Sequence, residues 1–581
     1  MFTGDDARTM VSLDAAQQFT PHEARTTSAL AARAMRWIVP IALYGLALLT
    51  LLAPVVNHPN QPYNWEPYTA EGAFRFSDNP SWSIFSATGG LMTDSGDVPI
   101  TVLPAWVGFR IAGVSLDAMR VPIALVAALA PVLLWFTGRR LTSGPVALLA
   151  AALMAVSPAF IVYGRTATNV GISLVPALLT IYALARVIER PADWRWLAAL
   201  QLTLALGLYT YAPGRFLWLI ALVLLVLEVA LRPLEWRALA IAFGVTLLVL
   251  PLTLSLIMRE PVPLALDHYY AGRGEHLLAM SANPDRFEHY VELTAEERAT
   301  GVAEREPARM ALRLIWRNTR HLVSLLAEWD TRPAVMDYWN AHGRLYALPL
   351  VPFAAIGLLT CLYRALGSWK SRLILALFFG FTVPLLLTSQ VHIGRLIFVL
   401  PVLFLLIALG VETVVTVAAR RFELTPVRSL ALFAGAAALL FGASATLTWR
   451  EYQDPIPPTW QSAAVAELRA ELPVLAEGKS AALLLDRSEQ LEVIDIAEFR
   501  LALDDELRFV DVRETAPSVS DNRPSVYYGQ LYNHIETQDD IPGKCDNVYF
   551  VSLDLMPDFV EHAPAFWSEC ATPLRFLALP Y

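Results

Sequence analysis

Five carboxylates, Glu66, Glu71, Asp78, Asp94 and Asp97, stand in the polar interval from Asn57 to Arg110, between two segments apolar enough for lipid. Carboxylates held at a membrane surface without an equal number of bases beside them take water, a metal or a substrate hydroxyl as partner. Glu71, Glu66 and Asp97 are therefore the candidate acid–base groups, weighed against the plainer reading of a solvated acidic loop. Further polar motifs interrupt the apolar runs: YGRTATN (163–169), YTYAPGR (209–215), WDTRPAVMDYWNAHGR (329–344) and SQVHIGR (389–395). They carry Arg165, Arg215, His392 and Arg395. A guanidinium grips a phosphate with two parallel hydrogen bonds, so three such groups, two of them with tyrosines close by, would suit a phosphate or pyrophosphate headgroup. The competing reading for these arginines is interfacial snorkelling. For His392, three residues before Arg395, it is an ordinary interfacial or hydrogen-bonded histidine.

The elements that must position these groups are membrane helices. Of the 581 residues, 56% are hydrophobic and 17% charged, and mean hydropathy is +0.46; this is a polytopic membrane protein, not a cytosolic enzyme. A net charge of -9 offers no basic face for nucleic acid. About 20 apolar residues cross the hydrocarbon as helix. Runs of roughly that kind lie near 37–56, 121–136, 146–163, 170–187, 196–210, 216–231, 238–257, 345–363, 373–387, 396–418 and 429–447, about eleven in all. The run 100–112 is too short and is read as interfacial or re-entrant.

Orientation follows from the short loops. With the N-terminus inside, thirteen Arg and Lys residues from Arg139 to Arg428 fall in inner loops, against only Arg165, Arg215 and Arg395 in the short outer ones. The positive-inside rule selects that arrangement. The polar residues 1–35 contain no apolar core followed by a small-residue cleavage site, so they read as a cytoplasmic tail before an uncleaved first span. The transmembrane domain is then 36–447, with outer segments 57–120 and 258–344, and the tail 448–581 lies outside. After Glu304 an apolar rhythm suits a helix lying on the surface. In the tail, WQSAAVAELRAELPVLA reads as an amphipathic helix and SAALLLD, LRFVDV, NVYFVSLD and PLRFLALPY as strands. The expected fold is an all-α polytopic domain followed by a small extracytoplasmic α/β domain.

Of the three cysteines, Cys361 falls in an apolar run, while Cys545 and Cys570 flank a tail strand. Outside the cytoplasm the latter two can form a disulfide, stabilising by roughly 3 kcal/mol in the chain-entropy picture; the alternative is two buried thiols. The sequence has no Walker loop, GxGxxG, HExxH or zinc-spaced cysteine pair, and AEGKS at 476–480 lacks the first glycine of a P-loop. No cofactor or metal site is called for, although the acidic loop leaves a divalent metal open.

Taken together, the acidic first outer loop, GDVPITVLPAWVGFRIAGVSLDAMRVP, SPAFIVYGRTATN, LGLYTYAPGR and HIGRLIFVLPVLFLLIALGVE resemble the multi-spanning glycosyltransferases of the GT-C class. The likeness is greatest to the protein O-mannosyltransferase and aminoarabinose transferase relatives, often described in bacteria as dolichyl-phosphate-mannose-protein-mannosyltransferase-like. It covers about 37–447 and not the tail. The resemblance implies transfer of a sugar from a polyprenyl-phosphate donor to an acceptor hydroxyl of a glycan, lipid or protein, outside the plasma (inner) membrane. It also implies an acidic residue of the first outer loop, usually in an Asp-Glu pair, that acts as base or orients the acceptor. The nearest match here is Ala70-Glu71, with Glu66 as the other candidate. Asn169 stands where many relatives carry an acidic residue. On this reading Glu71 or Glu66 deprotonates the acceptor, while Arg165, Arg215, Arg395 and His392 hold the leaving phosphate. The rival is a non-catalytic protein of the same fold, a lipid-linked sugar transporter or scaffold. A transporter calls for polar groups at mid-membrane depth, and here they gather at one face.

Overall fold

The computed structural model describes residues 22–52, 66–78, 99–208, 210, 214, 216–232, 234–258, 307–327, 345–387, 391 and 393–453, together with five short strands beyond. Helices dominate the first part because a segment in hydrocarbon must pair its own backbone N–H and C=O groups. The chain runs through α1 (His22–Leu52), α2 (Glu66–Asp78), α3 (Pro99–Ala112), α4 (Leu116–Ala127), α5 (Leu129–Leu141) and α6 (Gly144–Ala155). It continues through α7 (Pro158–Arg165), α8 (Asn169–Ile172), α9 (Leu174–Glu189), α10 (Trp194–Gly207), α11 (Phe216–Leu231) and α12 (Trp236–Met258). After an interval come α13 (Pro307–Leu326), α14 (Val351–Arg364), α15 (Trp369–Thr382), α16 (Ile393–Leu396), α17 (Leu400–Arg421) and α18 (Pro426–Gln453).

Six stretches among the described residues are long and apolar enough to cross a membrane, or seven if α6 and α7, bent by 60°, count as one span. Shorter apolar helices occupy Trp37–Leu52, Ile100–Ala112, Phe216–Leu231 and Leu348–Arg364. The apolar runs of the sequence thus lie on helices, but fewer of them reach spanning length than the eleven expected. Two boundaries also move. The run 121–136 begins earlier, in α4, and takes Arg120 into the helix; the run 146–163 breaks at Ser157 and Pro158, where proline cannot continue the helix.

α17 forms the centre. Its residues from Leu400 to Val411 are buried without interruption, so it is apolar on all sides because protein surrounds it. It approaches α14 backbone to backbone. A Cβ on Gly357 would lie 1.8 Å from the Leu406 carbonyl oxygen, and one on Gly410 would lie 1.9 Å from that of Phe353. Only glycine fits either place. α18, by contrast, is mostly exposed and lies at the periphery.

Toward the other end of α11, Glu228 is fully buried and accepts two hydrogen bonds from Arg372 of α15, at 2.6 and 2.9 Å. Arg372 also donates to the Ala365 carbonyl, and Arg232 donates to the Ile188 carbonyl that closes α9. These bonds knit the interhelical turns on that side. An apolar helix carrying a glutamate near its end is tolerated because the charge is paired and its oxygens are engaged.

The tail holds a five-stranded sheet of β1 (Ala481–Leu485), β2 (Arg508–Asp511), β3 (Ser525–Gln530), β4 (Val548–Ser552) and β5 (Leu574–Leu577), in the order β2-β3-β1-β4-β5. All four pairings are parallel, with Leu483 opposite Tyr528 on one side and Phe550 on the other. Parallel neighbours need crossover connections; those connections, including the expected helix WQSAAVAELRAELPVLA, lie outside the described residues. Four strands were expected, and the fifth is β3, an interior strand.

Candidate functional site

Helix α2 shows how the acidic loop is seated. Its buried side chains Glu66, Thr69, Ala70, Ala73 and Phe74 recur at i, i+3, i+4, i+7 and i+8, one face of a helix, and Gly72 is buried as well. That face packs on α3, α4 and the turn after α7, where Ala70, Ala73 and Phe74 join Ala105, Met119, Ile123, Ala167 and Ile172 in one apolar cluster. Phe74 stacks on Phe109 at 5.3 Å, and Phe76 meets Trp106 edge-on at 5.1 Å. Ala70 is fully buried in this cluster. Ala70, the first member of the Ala70-Glu71 pair matched to the relatives' Asp-Glu pair, thus packs inward.

Glu66 opens α2 and its carboxylate is wholly enclosed. Oε1 accepts from Arg120 Nε at 2.8 Å and from the Ala167 backbone N–H at 2.6 Å, and Oε2 accepts from Arg120 Nη2 at 2.6 Å. Arg120 lies in the second turn of α4, a helix started by Ser115, whose hydroxyl accepts from the Ala118 N–H. One carboxylate therefore ties the first loop, the second apolar run and YGRTATN into one junction. Both oxygens of Glu66 are thus engaged by a guanidinium and an amide, in a buried ion pair that holds the junction together.

YGRTATN is delivered by the broken helix. The 60° bend between α6 and α7 frees the carbonyls of Ala155 and Val156. Thr50 of α1 donates to the first at 2.9 Å and Thr448 of α18 to the second at 2.7 Å. Ser157 caps α7 by accepting from Phe160 N–H. The motif then turns sharply into α8. A Cβ on Gly171 would sit 2.0 Å from the Tyr163 carbonyl oxygen, so the turn closes only on glycine. Arg165, Thr166, Thr168 and Asn169 are all buried here, and the Ser173 hydroxyl donates to the Asn169 carbonyl.

A second meeting joins the later motifs. Gly214 of YTYAPGR lies so close to Phe398 that a Cβ would be 3.0 Å from its ring, and Phe398 follows Arg395 by three residues. Arg395 is half-buried in the last turn of α16. Just before that motif, Asn318 of α13 donates to the Leu386 carbonyl at 3.1 Å.

Glu71 is on α2, between buried Ala70 and Gly72, with its side chain outside the description. Asp97, Arg215, His392, Cys545 and Cys570 lie outside the described residues. Among the described residues no three His, Cys, Asp or Glu side chains come together to hold a metal ion. Arg120 and Gly171 were not singled out from sequence. The signal for Arg120 was an arginine just before an apolar run, at the end of an acidic loop that lacked a partner; Gly171 gave none.

Residues 98–258 match the family model described as dolichyl-phosphate-mannose-protein mannosyltransferase. No curated protein sequence matches. Among solved structures, the Archaeoglobus fulgidus oligosaccharyltransferase in complex with zinc and sulfate is 15% identical with a TM-score of 0.47; the alignment covers 79% of this chain and 61% of that one. ArnT from Cupriavidus metallidurans is 14% identical in its apo state, with a TM-score of 0.46 and coverage of 91% and 95%. Bound to undecaprenyl phosphate, it gives 14% identity, a TM-score of 0.42 and coverage of 88% and 89%. The chain spans 61% of the length of the oligosaccharyltransferase it matches. The matched segment contains Arg120, YGRTATN and YTYAPGR, and the chain resembles the GT-C membrane glycosyltransferases of the protein mannosyltransferase kind.

Proposed function

We propose that this chain transfers a sugar from a polyprenyl-phosphate donor to an acceptor hydroxyl at the outer face of the plasma (inner) membrane. The observation that carries the reading is the junction of Glu66, Arg120 and the Ala167 amide, which fixes the acidic loop helix against YGRTATN. It adjoins and partly occupies the segment 98–258 that resembles the mannosyltransferases. The N-terminus is cytoplasmic, about eleven helices cross the membrane, and the α/β tail from 448 lies outside, where it presents or selects the acceptor.

Within this reading the two glutamates divide the work. Glu66 positions, because its oxygens are committed. Glu71, on the next turn of the same helix, takes the proton from the acceptor hydroxyl, and Asp97 is the further acidic candidate of that loop. The acceptor oxygen attacks the anomeric carbon as the bond to the phosphate oxygen breaks, and the electron pair leaves with the phosphate. Attack from the opposite side inverts the anomeric centre. Arg165, Arg215 and Arg395, with His392, take up the phosphate charge. A positioned base supplies roughly 10²- to 10⁴-fold, and fixed cationic donors at the leaving group add to that.

Incubating the purified full chain with radiolabelled polyprenyl-phosphate sugars tests the reading. Label should leave the lipid in the presence of an acceptor extract. Retention of label on every donor tried, by protein that is folded, refutes it.

A further inference from the structure

At the end of the bundle away from YGRTATN, the turn between α9 and α10 and the turn between α11 and α12 enclose an open groove of about 940 Å³. The 16 residues of α9 hold it about 24 Å from that motif, at 1.5 Å per residue, so the proposed sugar transfer does not use it. Its charged lining is Glu189, Arg190, Asp193, Glu235 and Arg237, and these groups are not equivalent. Glu189 is paired with Arg186 and lies 3.9 Å from Arg140, and Glu235 is paired with Arg232. Both glutamates are neutralised from within the protein. Among the described residues no carboxylate stands within ion-pair distance of Arg190 or Arg237, and no cation within that distance of Asp193. Arg237 lies over the Trp236 ring, 5.6 Å from its centroid, a contact that leaves in-plane N–H donors for another partner. Asp193 caps α10 with one oxygen, which accepts from the Arg195 N–H at 3.2 Å. The groove therefore offers two guanidinium groups and one carboxylate oxygen to something outside the chain.

The level of the groove narrows what that can be. Asn169–Glu189 and Trp236–Thr253 are both long and apolar enough to cross a membrane. The groove opens where the first ends and the second begins, at the boundary between hydrocarbon and water. Trp194 and Trp236, exposed at the starts of α10 and α12, are of the residue type that occupies this boundary. What lies there beside a membrane protein is a lipid headgroup. Two guanidinium groups fit its phosphate. The carboxylate then calls for a cation on the same headgroup, and one with N–H groups to donate.

We infer that this groove is a lipid site for a zwitterionic headgroup with a phosphate and a primary ammonium, of the phosphatidylethanolamine class. Arg190 and Arg237 hold the phosphate, and Asp193 accepts from the ammonium. Phosphatidylglycerol has no cation to set against Asp193, and the quaternary ammonium of phosphatidylcholine has no N–H to donate, so the same three side chains discriminate against both. The inference does not depend on the sugar chemistry.

The experiment reads lipid binding alone. The full chain, purified in neutral detergent, is titrated with phosphatidylethanolamine, phosphatidylglycerol, phosphatidylcholine or the soluble glycerophosphoethanolamine, and its thermal unfolding midpoint is followed. Phosphatidylethanolamine should stabilise at the lowest concentration. In Arg190→Gln/Arg237→Gln its half-effective concentration should rise on the order of thirtyfold, and the corresponding double Lys variant should restore most of the response because it keeps the charge. Should the double Gln variant not fold, Arg190→Gln alone, at an exposed position, should still shift the concentration several-fold. Asp193→Asn keeps an oxygen for the Arg195 N–H and removes the charge, so it should respond to phosphatidylethanolamine and phosphatidylglycerol at the same concentration. Four results each overturn the inference. One is phosphatidylglycerol or phosphatidylcholine acting on the parent chain at the same concentration as phosphatidylethanolamine, and another is glycerophosphoethanolamine doing so, which points to a soluble ligand. The others are an unchanged response in the Gln variants and a lipid preference that survives Asp193→Asn.

Discussion

Replacing Glu66 by Gln separates anchoring from catalysis. The change keeps the side-chain size and an oxygen that can still accept from the Ala167 N–H at 2.6 Å. It removes the charge that faces Arg120, whose guanidinium is 7% exposed beside a fully enclosed carboxylate. Breaking one partner of a buried pair typically costs about 3–5 kcal/mol, because the other charge is left without compensation. For a domain-sized unit that corresponds to a fall in unfolding midpoint on the order of ten degrees. Exchanging both partners for neutral groups should recover much of the loss, so Glu66→Gln/Arg120→Met should unfold at a higher temperature than Glu66→Gln alone. Thermal scans at a fixed rate on purified protein give the stabilities, and donor release by the folded fraction gives activity. The anchoring account predicts parallel loss and parallel recovery. If Glu66→Gln unfolds like the parent but no longer transfers sugar, and the double variant recovers nothing, Glu66 is a chemical group and the division of roles is wrong.

Four further outcomes are expected. Gly171→Ala forces the Tyr163 carbonyl to move and should lower transfer at least tenfold while helix content by circular dichroism is kept, since misplacements of about 1 Å near a site can cost 10²-fold. Gly410→Ala or Gly357→Ala should destabilise by about 1–3 kcal/mol in thermal unfolding, because the added methyl meets backbone across the α14–α17 crossing. Glu228→Gln should destabilise by a similar mechanism to Glu66→Gln, about 3–5 kcal/mol, but the folded fraction should turn over at the parent rate. Thiol titration under denaturing, non-reducing conditions should find one free thiol per chain, Cys361; three would exclude a Cys545–Cys570 bridge.

What the sequence disclosed is set by which forces are local. Apolar runs announce helices because the bilayer imposes length and composition together, and the surface rhythm after Glu304 reappears as α13. The break at Ser157 and Pro158 carried its own signal in the proline, but an otherwise continuous apolar run masked it. Strands β1, β2, β4 and β5 were marked by apolar segments; SVYYGQ, with tyrosines at its centre, looked less apolar although it is interior. Among site residues, the meeting of the acidic loop with YGRTATN was expected from shared sidedness. The bond that makes it, from the Ala167 N–H to Glu66, joins residues 101 positions apart and cannot be read from spacing. Nor can a register of one residue on α2, which decides that Ala70 packs inward.

The most direct test of the central claim is donor consumption by Glu71→Gln measured beside the parent chain. Radiolabelled polyprenyl-phosphate sugar serves as substrate, and donor binding is determined separately by equilibrium methods. The parent should release label from the lipid. Glu71→Gln should bind donor with similar affinity and release label at least about a hundredfold more slowly, as expected when a base acting only in the transition state is removed. Full transfer by Glu71→Gln, together with full transfer by Asp97→Asn, would contradict the claim that the acidic first loop is the chemical centre.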